Sequence, residues 1–171
     1  MGGNVNMLIR KISLKLFFIA YWVIFLSSIS SAELYRQKQG LFTINIPNGW
    51  HVVSDSSSGV EFKSSKQLDG ISIAMTPLES KSKEDFKKLV AEDVKALQQC
   101  PYPFKMEGLK EIRIDGVTGY QSSYQIRLNG TLFYNSDIYL FSRGHIISVS
   151  FGYDSKTGRA KHEKIVKTMR F

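Results

Sequence analysis

Eight side chains capable of orienting a ligand share one face of a strand meander if two dipeptides are tight turns. Asn129-Gly130 supplies the positive backbone angles of a two-residue hairpin, and Arg143-Gly144 is a weaker case of the same pattern. Leu128 then lies opposite Thr131 and Ser142 opposite His145, which fixes every pair further along the strands. One face collects Leu132, Tyr134, Ile138, Leu140, Ile147, Val149, Phe151 and Tyr153 and reads as core. The other carries Tyr120, Ser122, Tyr124, Asn135, Asp137, Tyr139, Ser148 and Ser150 between apolar ends at Ile126, Phe133, Phe141 and Ile146. Tyrosines provide contact area while an amide, a carboxylate and hydroxyls orient a partner by hydrogen bonds, so the chemistry expected there is recognition. The competing reading is an antiparallel sheet face left partly wet or covered by a helix.

A second candidate is the C-terminal basic run Lys156, Arg159, Lys161, Lys164, Lys167 and Arg170, a possible docking stripe for phospholipid headgroups or an acidic protein. The alternative is a solvated helix face. His51, His145 and His162 sit far apart with no Cys, Asp or Glu at metal-ligand spacing, so no metal site is expected. There is no Gly-x-Ser-x-Gly elbow and no phosphate-cradling glycine loop, so neither nucleophilic hydrolysis nor nucleotide use has local support. We expect a non-enzymatic protein without a cofactor; a hydrolase site assembled from distant residues is the open alternative. Asn129-Gly130-Thr131 also spells a glycosylation acceptor, but the turn needs the same residues.

These residues must be positioned by few elements. Apolar and polar positions alternate at Phe42, Ile44 and Ile46, at Val60 and Phe62, and at Ile71, Ile73 and Met75, which predicts an antiparallel opening punctuated by Pro47-Asn48-Gly49 and Asp69-Gly70. From Ser82 the period becomes helical, with Phe86, Leu89, Val90, Val94 and Leu97 on one stripe. Ser82 and Asp85 form a capping box, and Pro101 and Pro103 stop the helix. A meander follows over 109–114, 117–128, 131–142 and 145–153. A second helix over 157–168 is expected to present Ala160, Ile165, Val166 and Met169 inward, capped near Asp154 or Ser155.

The N-terminus carries Arg10, Lys11 and Lys15 and no acid, then an apolar block from Leu16 to Leu26, then Ser30 and Ala32 as the small residues of a cleavage site. Residues 1–32 are therefore expected to be a cleaved signal peptide, with Met7 offering a second start, and 33–171 a single domain. The apolar block falls short of the roughly 20 residues of a permanent span. An uncleaved membrane anchor is the alternative. Removing Arg10, Lys11 and Lys15 lowers the formal charge from +8 to +5. In an exported protein that excess suggests an envelope protein or an anionic surface as partner and no nucleic acid. We expect a monomer, periplasmic or secreted. The single cysteine, Cys100, cannot form an internal disulfide, so stability must come from packing.

The opening Gly40-Leu41-Phe42-Thr43-Ile44-Asn45-Ile46-Pro47-Asn48-Gly49-Trp50, the stretch Asp115-Gly116-Val117-Thr118-Gly119-Tyr120 and the ending Ile165-Val166-Lys167-Thr168-Met169-Arg170-Phe171 resemble the superfamily of PsbP, Mog and DcrB-like proteins. The resemblance implies an α+β fold in which an antiparallel sheet of six to eight strands is flanked by helices on both sides. It also implies non-catalytic binding. PsbP-like members assist photosystem complexes, Mog members bind the Ran GTPase and DcrB-like members belong to the cell envelope. Trp50 in that opening is expected to anchor the core. No lipid-acceptor cysteine follows the apolar block, which departs from the lipoprotein members.

Overall fold

The computed structural model describes residues 32–65, 69–78, 82–99, 101–153 and 156–171. The expected signal peptide and its apolar block, Cys100, and the cap residues Asp154 and Ser155 lie outside the described residues. Two strands, β1 (Glu33–Arg36) and β2 (Thr43–Ile46), pair as a small antiparallel hairpin. Seven more build the main sheet: β3 (Trp50–Asp55), β4 (Gly59–Ser64), β5 (Gly70–Pro77), β6 (Phe104–Ile114), β7 (Val117–Leu128), β8 (Thr131–Ser142) and β9 (His145–Tyr153). Its order is β3-β4-β5-β9-β8-β7-β6, antiparallel throughout. Helix α1 (Lys83–Leu97) carries the chain from β5 to the far edge at β6, and α2 (Lys156–Val166) follows β9.

The three meander turns place a non-glycine residue and then a glycine at positive φ: Asp115 and Gly116 (47° and 81°), Asn129 and Gly130 (49° and 81°), Arg143 and Gly144 (51° and 75°). Two successive left-handed residues match the twist of the strands they join. The pairing follows, with Leu128 opposite Thr131 and Ser142 opposite His145, as the turns predict. Arg143 tolerates its backbone angle while its Nη1 donates to the Gly40 carbonyl at 2.6 Å.

Strict alternation sends Val60 and Phe62 of β4, Ile71, Ile73 and Met75 of β5, Ile147, Val149 and Phe151 of β9, and Ile138 and Leu140 of β8 to one face. The β1–β2 hairpin and α2 cover it with Phe42, Ile44, Ile46, Ile165, Val166 and Met169. The C-terminus closes this layer by exchanging two backbone hydrogen bonds between Thr43 and Arg170, at 2.8 and 2.9 Å. Helix α1 lies on the opposite face, where Phe86 and Val90 meet Tyr120 and Tyr139. The fold is the expected α+β sandwich.

Several local expectations change. The opening strand β2 pairs with β1 rather than with the main sheet, because its apolar residues are needed above the core. Strands β1 and β3 show no alternation, since both are mostly exposed. Strand β6 begins at Phe104, five residues before the expected Leu109, which is itself exposed. On α1, Leu89 is 39% exposed and the packed stripe narrows to Phe86, Val90 and Val94. On α2, Ala160 faces outward and the fully buried His162 points inward. Trp50 packs against the core from its margin, edge-on to His162.

The capping box closes in a variant form. Ser82 Oγ accepts from the Asp85 amide at 3.0 Å and donates to the Asp85 carboxylate at 2.6 Å. Both sheet edges are interrupted by irregular pairing, between Val52 and Ser54 on β3 and between Met106 and Gly108 on β6, which discourages further strands from adding there.

Candidate functional site

Non-local pairing completes the polar face that the hairpins began. Glu61, Ser72, Ser150, Asp137 and Ser122 line up in one row across β4, β5, β9, β8 and β7. Lys63, Gly70, Gly152, Asn135 and Tyr124 form the next. Where β5 and β9 bury large residues on the core side, they carry Gly70, Ser72, Ala74, Ser148, Ser150 and Gly152 on this one. The small residues make a floor, and taller groups at Glu61, Lys63, Tyr124 and Asn135 make walls, enclosing a cleft of about 300 Å³. Gly152 is there for room: a Cβ would sit 3.2 Å from Asn135 Oδ1, and its backbone is not left-handed.

Asp137 sits at the bottom of this cleft and is 7% exposed. Burial pushes its carboxyl above the usual carboxylate range; hydrogen bonds from Ser150 and Tyr124 offset part of that, and the nearby Asp93 charge adds to it. Phe104 stacks on Tyr124, with ring centroids 5.2 Å apart, and holds that wall in place. A second cleft of about 430 Å³ adjoins along β9, between the sheet and α1, lined by Leu89, Val90, Asp93, Ala96, Tyr139, Ile146 and Ser148 among others. There the Tyr139 hydroxyl donates to Asp93 at 2.5 Å, and burial followed by that hydrogen bond raises the phenol well above its ordinary range. Each cleft thus presents a carboxylate fixed by a tyrosine hydroxyl.

The expected binding face divides in two. Tyr124, Asn135, Asp137 and Ser150 line the open cleft. Tyr120 and Tyr139 are instead buried beneath Phe86 and Val90 of α1, and Ser122 is fully buried behind Asp137. Helix α1 covers one half of the face because it needs an apolar seat, and the seat is the end bearing Phe141 and Ile146.

The expected basic stripe is broken up. Arg159 turns inward, with Nε donating to Glu163 at 2.9 Å, Nη1 to Glu107 at 3.1 Å and Nη2 to Ser123 at 2.9 Å. Lys161 pairs with Asp69 at 2.7 Å and lies 5.5 Å from the Trp50 ring centre. Lys164 and Lys167 are exposed, and the Lys156 side chain lies outside the described residues. The three histidines stay apart, and among the described residues no three His, Cys, Asp or Glu side chains gather as a metal ion would require.

The fold is similar to that of several solved structures. The cyanobacterial PsbP (CyanoP) of Synechocystis sp. PCC 6803 superposes with a TM-score of 0.65 at 14% identity, over 84% of this chain and 94% of that one. The chain has the PsbP/Mog-like fold. The Ran-binding protein Mog1p of Saccharomyces cerevisiae matches with a TM-score of 0.53 at 8% identity, over 81% of this chain and 94% of its own. LpqN of Mycobacterium tuberculosis, described as involved in cell envelope biogenesis, gives 0.51 at 13% identity, over 81% and 89%. No protein-family model and no curated protein matches the sequence.

Within this PsbP/Mog-like frame, the residues that sequence reasoning missed are those of β4, β5 and α1: Glu61, Lys63, Gly70, Ser72 and Asp93. The β5–β9 register joins segments far apart in the chain and no turn dictates it. The available signal was the run Gly70-Ile71-Ser72-Ile73-Ala74-Met75, in which every residue off the core face is small. Among the described residues no helix is long and apolar enough to cross a membrane.

Proposed function

We propose that this protein is a non-enzymatic binding module of the cell envelope, exported by residues 1–32 and cleaved after Ala32, which holds a partner on the open half of its polar sheet face. The observation that carries the reading is the Asp137 cleft: a buried carboxylate, a tyrosine, an amide and a hydroxyl converge over a floor of small side chains. That arrangement suits a hydrogen-bonding guest. Neither cleft has a described histidine or cysteine in its lining, so neither a Ser-His nor a Cys-His pair forms there, which favours binding over hydrolysis. The likeness to LpqN, a protein of envelope biogenesis, and to the Ran-binding Mog1p supports a protein partner in the envelope as an analogy of fold.

The test is crosslinking in intact cells followed by affinity capture, with wild type and the triple variant Tyr124→Ala, Asn135→Ala, Asp137→Ala compared at matched expression. A discrete crosslinked product that the triple variant loses is expected; an unchanged product would remove the open face from the reading. N-terminal sequencing of the purified protein should begin at Glu33. An intact Leu16 to Leu26 would instead favour the anchored form.

A further inference from the structure

The lining charges of the Asp137 cleft are already committed, with one exception. Lys63 pairs with Glu61 at 3.0 Å, and Asp69 with Lys161 at 2.7 Å. Asp137 has only neutral partners, Ser150 and Tyr124, and among the described residues no basic group forms an ion pair with it. Directly across the strand pair, the Ser122 hydroxyl is fully buried and makes no hydrogen bond. An ionised, desolvated carboxylate beside an unpaired hydroxyl is costly in a folded protein, and an approaching cation lowers that cost. One step along β9, the second cleft offers Asp93 above an apolar lining of Leu89, Val90, Ala96 and Ile146.

We propose that the cleft takes the guanidinium or ammonium group of a basic side chain, presented by an extended segment of a partner protein that also places an apolar side chain in the adjoining cleft. The proposal rests on the reading of the open face as a binding surface and names its guest. Three features argue for a polypeptide rather than a free amine. The first cleft, about 300 Å³, suits a side chain end. The second, beside it along β9, is mostly apolar, which a free polyamine would not use. Ser150 lines the first cleft and Ser148 the second, two residues apart on β9, a spacing of roughly 7 Å. An extended guest repeats that spacing between its own alternate side chains, so a basic residue and an apolar residue two positions away would fill both clefts. The charge is complementary as well, because Asp137 and Asp93 contribute two negative charges with no described ion-pair partner.

The test uses the exported protein in the form the cell produces and three probes. These are acetyl-Gly-Arg-Gly-Leu-Gly-amide, the same peptide with citrulline for arginine, and spermidine. Amide shifts at Gly70, Asn135, Ser150 and Gly152 are followed by NMR. The arginine peptide should shift these signals and bind about tenfold tighter than its neutral citrulline isostere. Asp137→Asn should abolish that preference, and Asp93→Asn should weaken the arginine peptide less. No binding by the arginine peptide, equal binding of the two peptides, or a preference that survives Asp137→Asn would overturn the proposal. Spermidine binding as tightly as the arginine peptide would overturn it in favour of a free polyamine. The crosslinking assay separates the two claims. If Asp137→Asn alone retains the crosslinked partner while the triple alanine variant loses it, the face stands and the cation preference falls; if both retain it, both fall.

Discussion

Two carboxylates on opposite faces of the same strands, Glu163 and Asp137, show how differently one sheet can treat a buried charge. Glu163 reaches from α2 over β7, where Gln121 Nε2 donates at 2.9 Å and Arg159 Nε at 2.9 Å. Burial by itself would raise its carboxyl, but those donors and the guanidinium charge win and hold it below the ordinary range. Arg159 then extends the network to Glu107 of β6 and Ser123 of β7, so the cluster is closed on itself. Asp137 has hydroxyl partners and no counter-charge, and burial dominates. A closed network fastens α2 to the sheet, whereas an open one leaves interaction capacity for something outside the chain.

The comparison breaks hardest at its centre of charge. Arg159→Ala would strand Glu163 and Glu107 together without their cation, and should destabilise the fold by about 2 kcal/mol in urea unfolding. The side chains are a quarter to a third exposed, which keeps the cost below that of a fully buried pair. A loss below about 0.5 kcal/mol would mean the network is decorative.

Asp137→Asn should have the opposite sign. A carboxyl whose folded pKa lies above its unfolded value binds protons more readily when folded, so its ionisation erodes stability as pH climbs from about 4 through the folded pKa. The charges facing it are Asp93 from α1 and, across the cleft, the paired Glu61 and Lys63. Asparagine removes the penalty, and the variant should gain on the order of 1 kcal/mol at neutral pH, shrinking toward zero near pH 4. Thermal melts at the two pH values check this. A variant less stable than wild type at pH 7 would show that Asp137 already has its stabilising partner within the chain.

How far these two sites could be foreseen follows from which contacts are local. The face bearing Tyr124, Asn135 and Asp137 was legible because Asn129-Gly130 and Arg143-Gly144 fix the register of β7, β8 and β9 within the chain's own turns. The superfamily fold was legible too, from the Gly40 to Trp50 opening and the C-terminal ending. The burial of Tyr120 and Tyr139 was not, since a helix period tells which stripe of α1 is apolar but not where on the sheet it lands. Arg159 looked like a member of a solvated stripe because Glu107 and Ser123 are distant in sequence. The same blindness hid Glu61, Gly70 and Ser72, which join Asp137 only through the β5–β9 pairing.

A smaller effect sharpens the cleft side alone. Gly152→Ala puts a methyl group 3.2 Å from Asn135 Oδ1 without backbone strain, so Asn135 must give way slightly. Stability should change by less than about 1 kcal/mol, because the alanine also reduces the freedom of the unfolded chain. Binding of the arginine peptide should weaken several-fold. Unchanged binding would place the guest away from the β9 floor.

The smallest expected effect tests whether the basic residues outside the Arg159 network matter. Lys164 and Lys167 are exposed near the end of α2 and just past it, while Arg159 and Lys161, their neighbours in the expected stripe, are held by Glu107, Glu163 and Asp69. Two surface lysines contribute about 1 kcal/mol each to adhesion at an anionic membrane, which falls short of stable attachment without a further signal. The double variant Lys164→Ala, Lys167→Ala should therefore shift stability by less than about 0.5 kcal/mol and leave the crosslinked partner in place. Sedimentation with vesicles containing phosphatidylserine should show weak, salt-sensitive binding for wild type and little for the variant. If the double variant instead loses the partner that Asp137→Asn retains, the working surface is α2, and the open carboxylate is only an incompletely satisfied part of the fold.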